Sequence, residues 1–472
     1  MTASPEPDLK LDVDPGFRLP ELGGRPLPPR LLTSTYYDTA GRRLLHAGVT
    51  LRRRVENRTG VWQLKLPSET GRYELEERGG PSRPPEAFLR LLPAFLRGGA
   101  TLEPAATLRT RRTGVAVGNR ADRIEVVVDT VSVLDGRRVA SSFAEVEAEV
   151  VSGDGASLPA IGKALRKAGA RRGTGRPKVA QVLEPEPPEP APEDHDPIAR
   201  LRRLLVDQYE AMLANDPGVR LGEDAEALHQ ARVATRRSRA LLRAARGLVA
   251  PWWAEPLRAE LAWIGGLLGP VRDLDVLLEH LDAEAAALEG EDARAFRRLR
   301  KRLATERDRD REKLLAAMDE PRYFRLLDTL ERARTAPPGD SEVSLTEIAA
   351  VAFTRLRRAV KRLPSRPTDD ELHAIRIDTK RARYAAELAA PALGKAGAKL
   401  VDRAKDLQDV IGEHQDAVVA ELRIRELAAR AGGRTGLAAG RLVERQRARK
   451  RAARRAFPDA WRRLDKAGRA AF

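Results

Sequence analysis

The sequence predicts an α+β protein with two unlike domains, an antiparallel β domain followed by an all-α helical bundle that contains an internal duplication. In residues 1–182, apolar side chains recur at every second position in short runs, which is the period of a strand. Residues 198–472 consist mainly of long Ala-, Leu- and Arg-rich runs with helical spacing. Residues 183–197 combine proline with acidic residues, which is typical of an extended linker.

Within the β domain, alternating runs bounded by turn-forming residues predict antiparallel strands. Helical inserts are expected near residues 85–97 and 158–169. The predicted strand runs are Val49–Val55, Val61–Leu66, Arg72–Glu77, Arg123–Val133 and Ser142–Val151.

Charged side chains share one face in several of these runs. The sets are Glu6, Asp8 and Lys10; Arg52 and Arg54; Gln63 and Lys65; Glu74 and Glu76; Arg109 and Arg111; and Glu145, Glu147 and Glu149. Two interpretations remain open, the solvent face of a sandwich and the charged lumen of a barrel. In a lumen, acidic strands could hold a hard divalent cation while basic strands hold phosphates.

The helical half contains one motif twice. The copies are His229-x-x-Arg232-x-x-Thr235-Arg236-x-x-Arg239 and His373-x-x-Arg376-x-x-Thr379-Lys380-x-x-Arg383, and each is followed by a Gly-x-x-x-Asp pair at Gly269 and Gly412. This spacing predicts an internal duplication with repeats of about 198–335 and 342–472. Breaks between helices are expected at 216–218, 269–270, 336–339, 364–367 and 432–433.

On an ideal helix, the basic residues of each copy fall within an arc of roughly 80°. Each copy therefore presents one basic stripe, and guanidinium groups match phosphate oxygens well. Lys and Arg total 86 against 69 Asp and Glu, and most of the excess lies after residue 200. Aromatic residues are only 4%, whereas proteins that bind nucleic acid usually place aromatic side chains among the charges. We therefore expect a polyanion without bases and regard nucleic acid as unlikely.

The chain contains no cysteine, no apolar leader in residues 1–10 and no long uninterrupted apolar run. These features predict a cytoplasmic protein without membrane spans. Three of the six histidines, His229, His373 and His414, could suggest a zinc site, but their cationic and acidic helical neighbours disfavour it.

Residues 6–182 resemble a CYTH domain, the triphosphate tunnel metalloenzyme fold. The opening Glu-x-Glu-x-Lys motif of that family corresponds to Glu6-Pro-Asp8-Leu-Lys10. The other matching segments are Tyr37-Asp-Thr39, Leu51-Arg-Arg-Arg54, Trp62-Gln-Leu-Lys65, Arg72-Tyr-Glu-Leu-Glu76, Asp129, Glu145-Val-Glu-Ala-Glu149 and Lys178. The resemblance implies an eight-stranded antiparallel barrel whose tunnel holds a triphosphate and a divalent metal.

By the same resemblance, the barrel is a metal-dependent triphosphatase that uses Mg²⁺ or Mn²⁺. The implied metal ligands are Glu6, Asp8, Glu145 and Glu147. The implied catalytic residues are Glu6, Asp8 and Lys10. The implied phosphate ligands are Arg52, Arg54, Lys65, Arg109, Arg111 and Lys178.

Residues 196–470 resemble a CHAD domain, the conserved-histidine α-helical module, through the duplicated motif. The resemblance implies that this half binds inorganic polyphosphate in a basic groove. The implied polyphosphate ligands are His229, Arg232, Arg236, Arg239, His373, Arg376, Lys380 and Arg383.

The favoured hypothesis is a polyphosphate-binding protein whose barrel hydrolyses inorganic triphosphate or short polyphosphate. A non-catalytic polyphosphate-binding scaffold is the alternative, because Pro5, Pro7 and Asp8 depart from the opening motif of an active barrel. An RNA- or ribosome-associated basic protein is a third reading. The sequence does not predict an oligomeric state.

Overall fold

The computed structural model describes residues 9–68, 71–81, 83–173, 176–183, 196–285, 290–339, 344–429 and 434–472. Contacts divide the chain into two compact units. The β unit comprises residues 1–190 and 213–227, and the helical unit comprises residues 191–212 and 228–472. Linker residues 184–195 lie outside the described residues, so the predicted linker and domain boundaries stay a prediction.

The β unit is built on one antiparallel sheet. Its strand order is β5-β4-β3-β2-β6-β7-β8-β1-β9. The strands are β1 Leu9–Val13, β2 Arg25–Asp38, β3 Thr50–Glu56, β4 Thr59–Ser68, β5 Gly71–Arg78, β6 Glu103–Gly118, β7 Arg123–Asp135, β8 Arg138–Ser152 and β9 Arg171–Arg172. The five runs predicted from alternation are confirmed as β3, β4, β5, β7 and β8.

The expectation of a closed eight-stranded barrel is corrected in two respects. The described residues form nine strands, because the chain after the last helical insert adds the two-residue strand β9 to the outer side of β1. The strand order is open, since no pairing between β5 and β9 is seen among the described residues. The following segment packs on the sheet instead of extending it, as Val179 and Ala180 are buried against Tyr36, Leu108 and Val131.

Five short helices flank the strands among the described residues. These helices are α1 Arg43–His46, α2 Glu86–Leu89, α3 Pro93–Leu96, α4 Leu158–Lys167 and α5 Ala180–Leu183. The helical inserts predicted near 85–97 and 158–169 are confirmed as α2 with α3 and as α4. Helix α4 covers one face of β1, β7 and β8, where Ile161 and Leu165 pack against Val126, Val128 and Val146. Alternation then directs the intervening residues of these strands to the opposite face, which is concave and carries the charged side chains described below.

The rest of the chain is helical. The helices are α6 Pro197–Leu221, α7 Ala225–Ala244, α8 Pro251–Ala285, α9 Gly290–Met318, α10 Pro321–Glu331, α11 Leu345–Lys361, α12 Asp369–Ala429 and α13 Arg434–Ala471. One core joins α11, α12 and α13 around Phe353, Leu407 and Leu464. A second core joins α8, α9, α12 and α13 around Leu281, Leu303 and Ile424.

Two of the predicted helix breaks are wrong. Helix α6 continues through Pro217, and α8 continues through Pro270. Proline inside a helix costs about 3 kcal/mol, but Leu268 and Val271 beside Pro270 are almost fully buried, and such packing can outweigh local propensity. The breaks at 336–339 and 364–367 are confirmed, whereas 432–433 lie outside the described residues.

A break that the sequence reasoning missed lies at Gly394 inside α12, where the φ angle is +54°. Glycine tolerates this left-handed conformation because it lacks a Cβ atom. Among the described residues, no helix has the length and apolar character needed to cross a membrane.

Candidate functional site

The concave face of the sheet lines a cavity of about 510 Å³, here called the β cavity, whose walls carry charges of both signs. Its cationic lining residues are Lys10, Arg30, Arg52, Arg54, Lys65, Arg112, Arg176 and Lys178. Its acidic lining residues are Glu74, Glu76, Glu125, Asp129, Glu147 and Glu149. A cavity with this lining suits a polyanion together with a cation.

Three carboxylates, here called the acidic trio, converge from β7 and β8. Asp129 and Glu145 are paired across the two strands, and Glu147 lies two residues further along β8 on the same face. One oxygen atom from each side chain lies within 4.8 Å of the others. Asp129 and Glu145 are buried, and Glu147 is partly buried. Within the described ranges, this is the group of His, Cys, Asp and Glu side chains whose spacing fits a metal ion.

Lys178 contacts all three members of the trio. Its Nζ atom lies 2.9 Å from Asp129 Oδ2, 2.5 Å from Glu145 Oε1 and 2.9 Å from Glu147 Oε1. This residue immediately precedes the buried pair Val179 and Ala180, so the packing of that segment positions the ammonium group.

Two further cations contact part of the trio. Lys10, paired across β1 and β8 with Glu147, places its Nζ 2.9 Å from Glu145 and 3.7 Å from Glu147. Arg112 on β6 donates to both oxygens of Asp129, at 2.8 and 2.7 Å, and to Glu147 at 2.8 Å. The trio is therefore enclosed by cationic side chains.

The pKa values follow from this arrangement. Burial alone would raise the pKa of Glu147, but Lys178 and the other cations outweigh it, so that pKa is lowered. Burial raises the pKa of Glu145, which its cationic neighbours only partly offset. Burial opposes the charged form of Lys178, yet the three carboxylates raise its pKa above the usual lysine value. The ammonium form of Lys178 is thus strongly stabilised.

The wall of the β cavity formed by β3, β4 and β5 carries three cations, Arg52, Arg54 and Lys65, which hydrogen bonds and ion pairs hold in place. Arg52 donates to Gln63 Oε1 at 2.7 Å and to Tyr36 Oη at 2.9 Å. Lys65 pairs with Glu74 at 3.1 Å, and Arg54 lies 3.5 Å from Glu76. These contacts fix the direction of the cations while leaving them on the cavity wall.

The acidic trio fits the divalent metal that the sequence resemblance implies. Carboxylate oxygen atoms are the ligands that Mg²⁺ and Mn²⁺ prefer. The buried Oε1 atom of Glu145 has no hydrogen-bond partner of acceptable geometry, although Lys178 Nζ lies close to it. Asp129, Glu145 and Glu147 are therefore the residues that would hold such an ion.

The structure brings most of the predicted barrel residues together. Lys10, Arg52, Arg54, Lys65, Glu147 and Lys178 line the β cavity, and Glu145 is buried beside them. Glu6 and Asp8 lie outside the described residues, so their predicted metal and catalytic roles stay a prediction.

The predicted placement of Arg109 and Arg111 in the tunnel is wrong. Both are exposed, and the cavity is lined instead by the alternate residues of β6, Leu108, Thr110 and Arg112. The sequence reasoning missed Arg112 and did not count Asp129 as a ligand. The sequence offered no decisive signal, because Leu108 packs on one face of β6 whereas Val115 and Val117, which alternate with it, pack on the other.

In the helical unit, the first stripe (His229, Arg232, Arg236 and Arg239) lies on α7 and the second stripe (His373, Arg376, Lys380 and Arg383) lies on α12. An ion pair of 2.9 Å between Arg237 and Glu387 joins the two helices. Arg383 pairs with the same Glu387 at 3.0 Å. Arg232 pairs with Asp273 of the first Gly-x-x-x-Asp segment at 3.0 Å.

Cations of the two stripes act on one another electrostatically. Burial, with the guanidinium groups of both stripes, lowers the pKa of Lys380 to about 7. The contributing guanidinium groups are, in order, Arg376, Arg236 and Arg232. Burial also lowers the pKa of Arg376, and Asp416 offsets only part of that effect. The stripes thus carry more positive charge than the neighbouring acids neutralise.

A second cavity, the helical cavity, lies beside the stripes and has a volume of about 1000 Å³. Arg236 and Arg239 of the first stripe and Lys380 of the second line it. Its remaining cations are Arg243, Arg258, Arg355 and Arg381.

The histidines of the helical unit occupy different surroundings. His373 is exposed, and its Nδ1 atom lies 2.9 Å from Gln415 Oε1. His414 is buried, with Nε2 3.2 Å from Asp369 Oδ1. His229 lies on α7 at the start of the first stripe. No group of metal-ligating side chains that includes these histidines is found among the described residues.

Comparison with known families matches both halves of the chain. A CYTH domain model matches residues 9–178, and a CHAD domain model matches residues 203–425. Two uncharacterized proteins from two strains of Mycobacterium tuberculosis are each 31% identical over 488 residues, which covers 94% of this chain and 92% of the relative.

Solved structures resemble parts of the chain. PptA from Streptomyces chartreusis is 26% identical with a TM-score of 0.46, covering 56% of this chain and 99% of that one. The CHAD domain from the plant Ricinus communis is 25% identical with a TM-score of 0.47, covering 59% of this chain and 93% of that one. At these TM-scores, neither similarity bears on function.

The family models match this chain in the order CYTH then CHAD, and the two relatives align over 94% of it. Both domains support a function related to triphosphate or polyphosphate. The chain belongs to the family of proteins in which a CYTH domain is followed by a CHAD domain.

Proposed function

We propose that this protein binds inorganic polyphosphate through its helical unit and hydrolyses inorganic triphosphate or short polyphosphate in its β cavity with Mg²⁺ or Mn²⁺. The observation that carries the proposal is the β cavity, where a basic wall faces three carboxylates within 4.8 Å of one another. A triphosphate needs cations for its oxygen atoms, and a hydrolytic site for it needs ligands for a divalent metal. This cavity offers both.

In the β cavity, Arg52, Arg54 and Lys65 would bind the phosphate oxygens. Their hydrogen bonds to the neighbouring strands hold them in place before the substrate arrives, which lowers the cost of organising the site. The acidic trio would hold the metal, which, when bound, supplies a Lewis acid for phosphoryl transfer and lowers the pKa of a coordinated water. Lys10 and Arg112 orient the trio through their ion pairs.

In the helical unit, the two stripes would bind a longer polyphosphate. Repulsion among Arg232, Arg236, Arg376 and Lys380 is relieved when an anion lies along them, so binding of a polyanion along the two stripes is favoured. Because the two units share one chain, capture by the helical unit would raise the local concentration of substrate near the β unit.

The test is phosphate release from tripolyphosphate by the full chain, with Mg²⁺ or Mn²⁺ present and with the metal chelated. Polyphosphate binding is measured in parallel on the same preparation. Metal-dependent release supports the triphosphatase. Polyphosphate binding without release supports the non-catalytic scaffold instead, and preference for single-stranded RNA at equal charge contradicts both readings.

A further inference from the structure

The Lys178 ammonium group occupies the centre of the acidic trio. It lies within 2.9 Å of an oxygen atom of all three carboxylates, and only 12% of its side chain is exposed. Of the trio, Lys10 contacts Glu145 and Glu147, and Arg112 contacts Asp129 and Glu147. Among the described cations, Lys178 is therefore the one that contacts every member of the trio.

A divalent metal bound by the trio would need the same space. Metal–oxygen distances are about 2.1 Å for Mg²⁺, and the three oxygens lie within 4.8 Å of one another. A metal ion and an ammonium group at the centre of such a cluster would repel each other strongly in a buried environment. The two cations therefore exclude each other.

We propose that Lys178 is a displaceable counter-ion, which together with Lys10 and Arg112 balances the charge of the acidic trio without metal and must leave it before a divalent metal binds. This inference rests on the proposed function, since it takes the trio to be the metal site. The backbone on the C-terminal side of Lys178 is fixed, because Val179 and Ala180 are buried in the core. The movement is consequently a rotation of the lysine side chain rather than of the segment.

Displacement links the metal to the anion. Away from the trio, the ammonium group still lies in the β cavity but loses its three carboxylate partners, which is costly for a buried charge. The phosphate oxygens of a substrate provide new partners. Metal and triphosphate therefore favour each other's binding, and this coupling is reciprocal by thermodynamic linkage. Metal alone binds weakly, and the loaded site forms efficiently only when substrate is present.

The first experiment is a calorimetric Mn²⁺ titration of the full chain in phosphate-free buffer. Lys178→Met removes the counter-ion and is expected to bind Mn²⁺ about tenfold more tightly than the wild type. Lys65→Met is the matched control, because it removes the same charge from the same cavity but contacts Glu74 rather than the trio. The control affinity should change by about twofold or less.

The outcomes separate this inference from the proposed function. The counter-ion proposal is overturned if the wild type and Lys178→Met bind Mn²⁺ with equal affinity, or if Lys65→Met gains as much affinity as Lys178→Met. Either result leaves the proposed metal site intact. Absence of Mn²⁺ binding in all three proteins refutes the metal site and the metal-dependent triphosphatase with it.

A second measurement uses only the wild type and so does not depend on the folding of a variant. The rate of Lys178 acetylation is followed by mass spectrometry with and without saturating Mn²⁺, and the exposed Lys163 on α4 serves as the reference amine. Displacement takes the amine out of its three ion pairs with Asp129, Glu145 and Glu147 and leaves it open to the reagent in the β cavity. We expect Mn²⁺ to raise its acetylation relative to Lys163. An unchanged ratio overturns the proposal.

Discussion

Lys178 in the β unit and Lys380 in the helical unit are the same residue type in opposite electrostatic surroundings. Lys178 lies among three carboxylates, which raise its pKa despite burial. Lys380 lies among guanidinium groups, which together with burial lower its pKa to about 7. The β cavity therefore balances charges of both signs, whereas the helical cavity is lined by seven cations against one described acidic residue, Glu347. The difference supports the proposal that the β unit takes a cation together with an anion and that the helical unit takes an anion alone.

The largest expected effect tests the acidic half of this comparison. Glu147→Gln keeps the shape of the side chain but removes one carboxylate of the trio, so metal-dependent phosphate release should fall about 100-fold or more. Polyphosphate binding, measured in the same preparation, should stay unchanged. Glu103→Gln on the exposed end of β6 is the matched control. Retained release in a folded Glu147→Gln protein would mean that the β cavity works through its cations alone.

A smaller effect is expected when the two basic stripes lose charge. Arg236→Ala combined with Arg376→Ala removes one guanidinium group from each stripe, and we expect polyphosphate affinity at moderate salt to fall about tenfold or more. The salt dependence of binding should also become shallower, because fewer ion pairs form. Phosphate release from tripolyphosphate is measured to confirm that the β unit is unaffected.

Lys395→Ala combined with Lys399→Ala removes two positive charges from exposed positions on α12 and serves as the control for net charge. An equal loss of polyphosphate affinity in both double variants would show that binding depends on the overall charge of the protein. The two stripes would then not be the binding site for polyphosphate.

The smallest effect concerns pH. Lys380 faces Arg376 on its own helix and Arg232 and Arg236 on α7, with Asp416 further along α12 as the opposing charge. With a pKa of about 7 in the free protein, Lys380 is increasingly neutral as the pH rises above 7. A bound polyanion stabilises the ammonium form, so binding above pH 7 takes up a proton and polyphosphate affinity should fall by about tenfold between pH 7 and pH 9.

Lys380→Arg provides the control for that pH dependence, since arginine stays charged throughout this range. Its polyphosphate affinity, measured from pH 7 to pH 9, should be nearly constant. A wild-type profile that is equally flat would show that Lys380 is not a contact of the polyanion.

Much of the fold followed from local pattern. Alternation identified five strands, because strands with one buried face impose a period of two. The stripes were found for a similar reason, since helical spacing fixes which residues share a face. The helix breaks expected at Pro217 and Pro270 were wrong, because the residues around Pro270 are buried by packing that a local reading does not see.

The sequence by itself determined the order of the two domains, the shared faces of the charged residues and the duplicated basic motif. Only the tertiary structure decided that Arg112 rather than Arg109 or Arg111 faces the cavity, because alternation defines two faces without saying which is concave. It also decided that Asp129 meets Glu145, since strand register depends on hydrogen bonds between distant segments. Lys178 reaches both through the packing of the segment that follows it, and such long-range burial is not encoded in any local period.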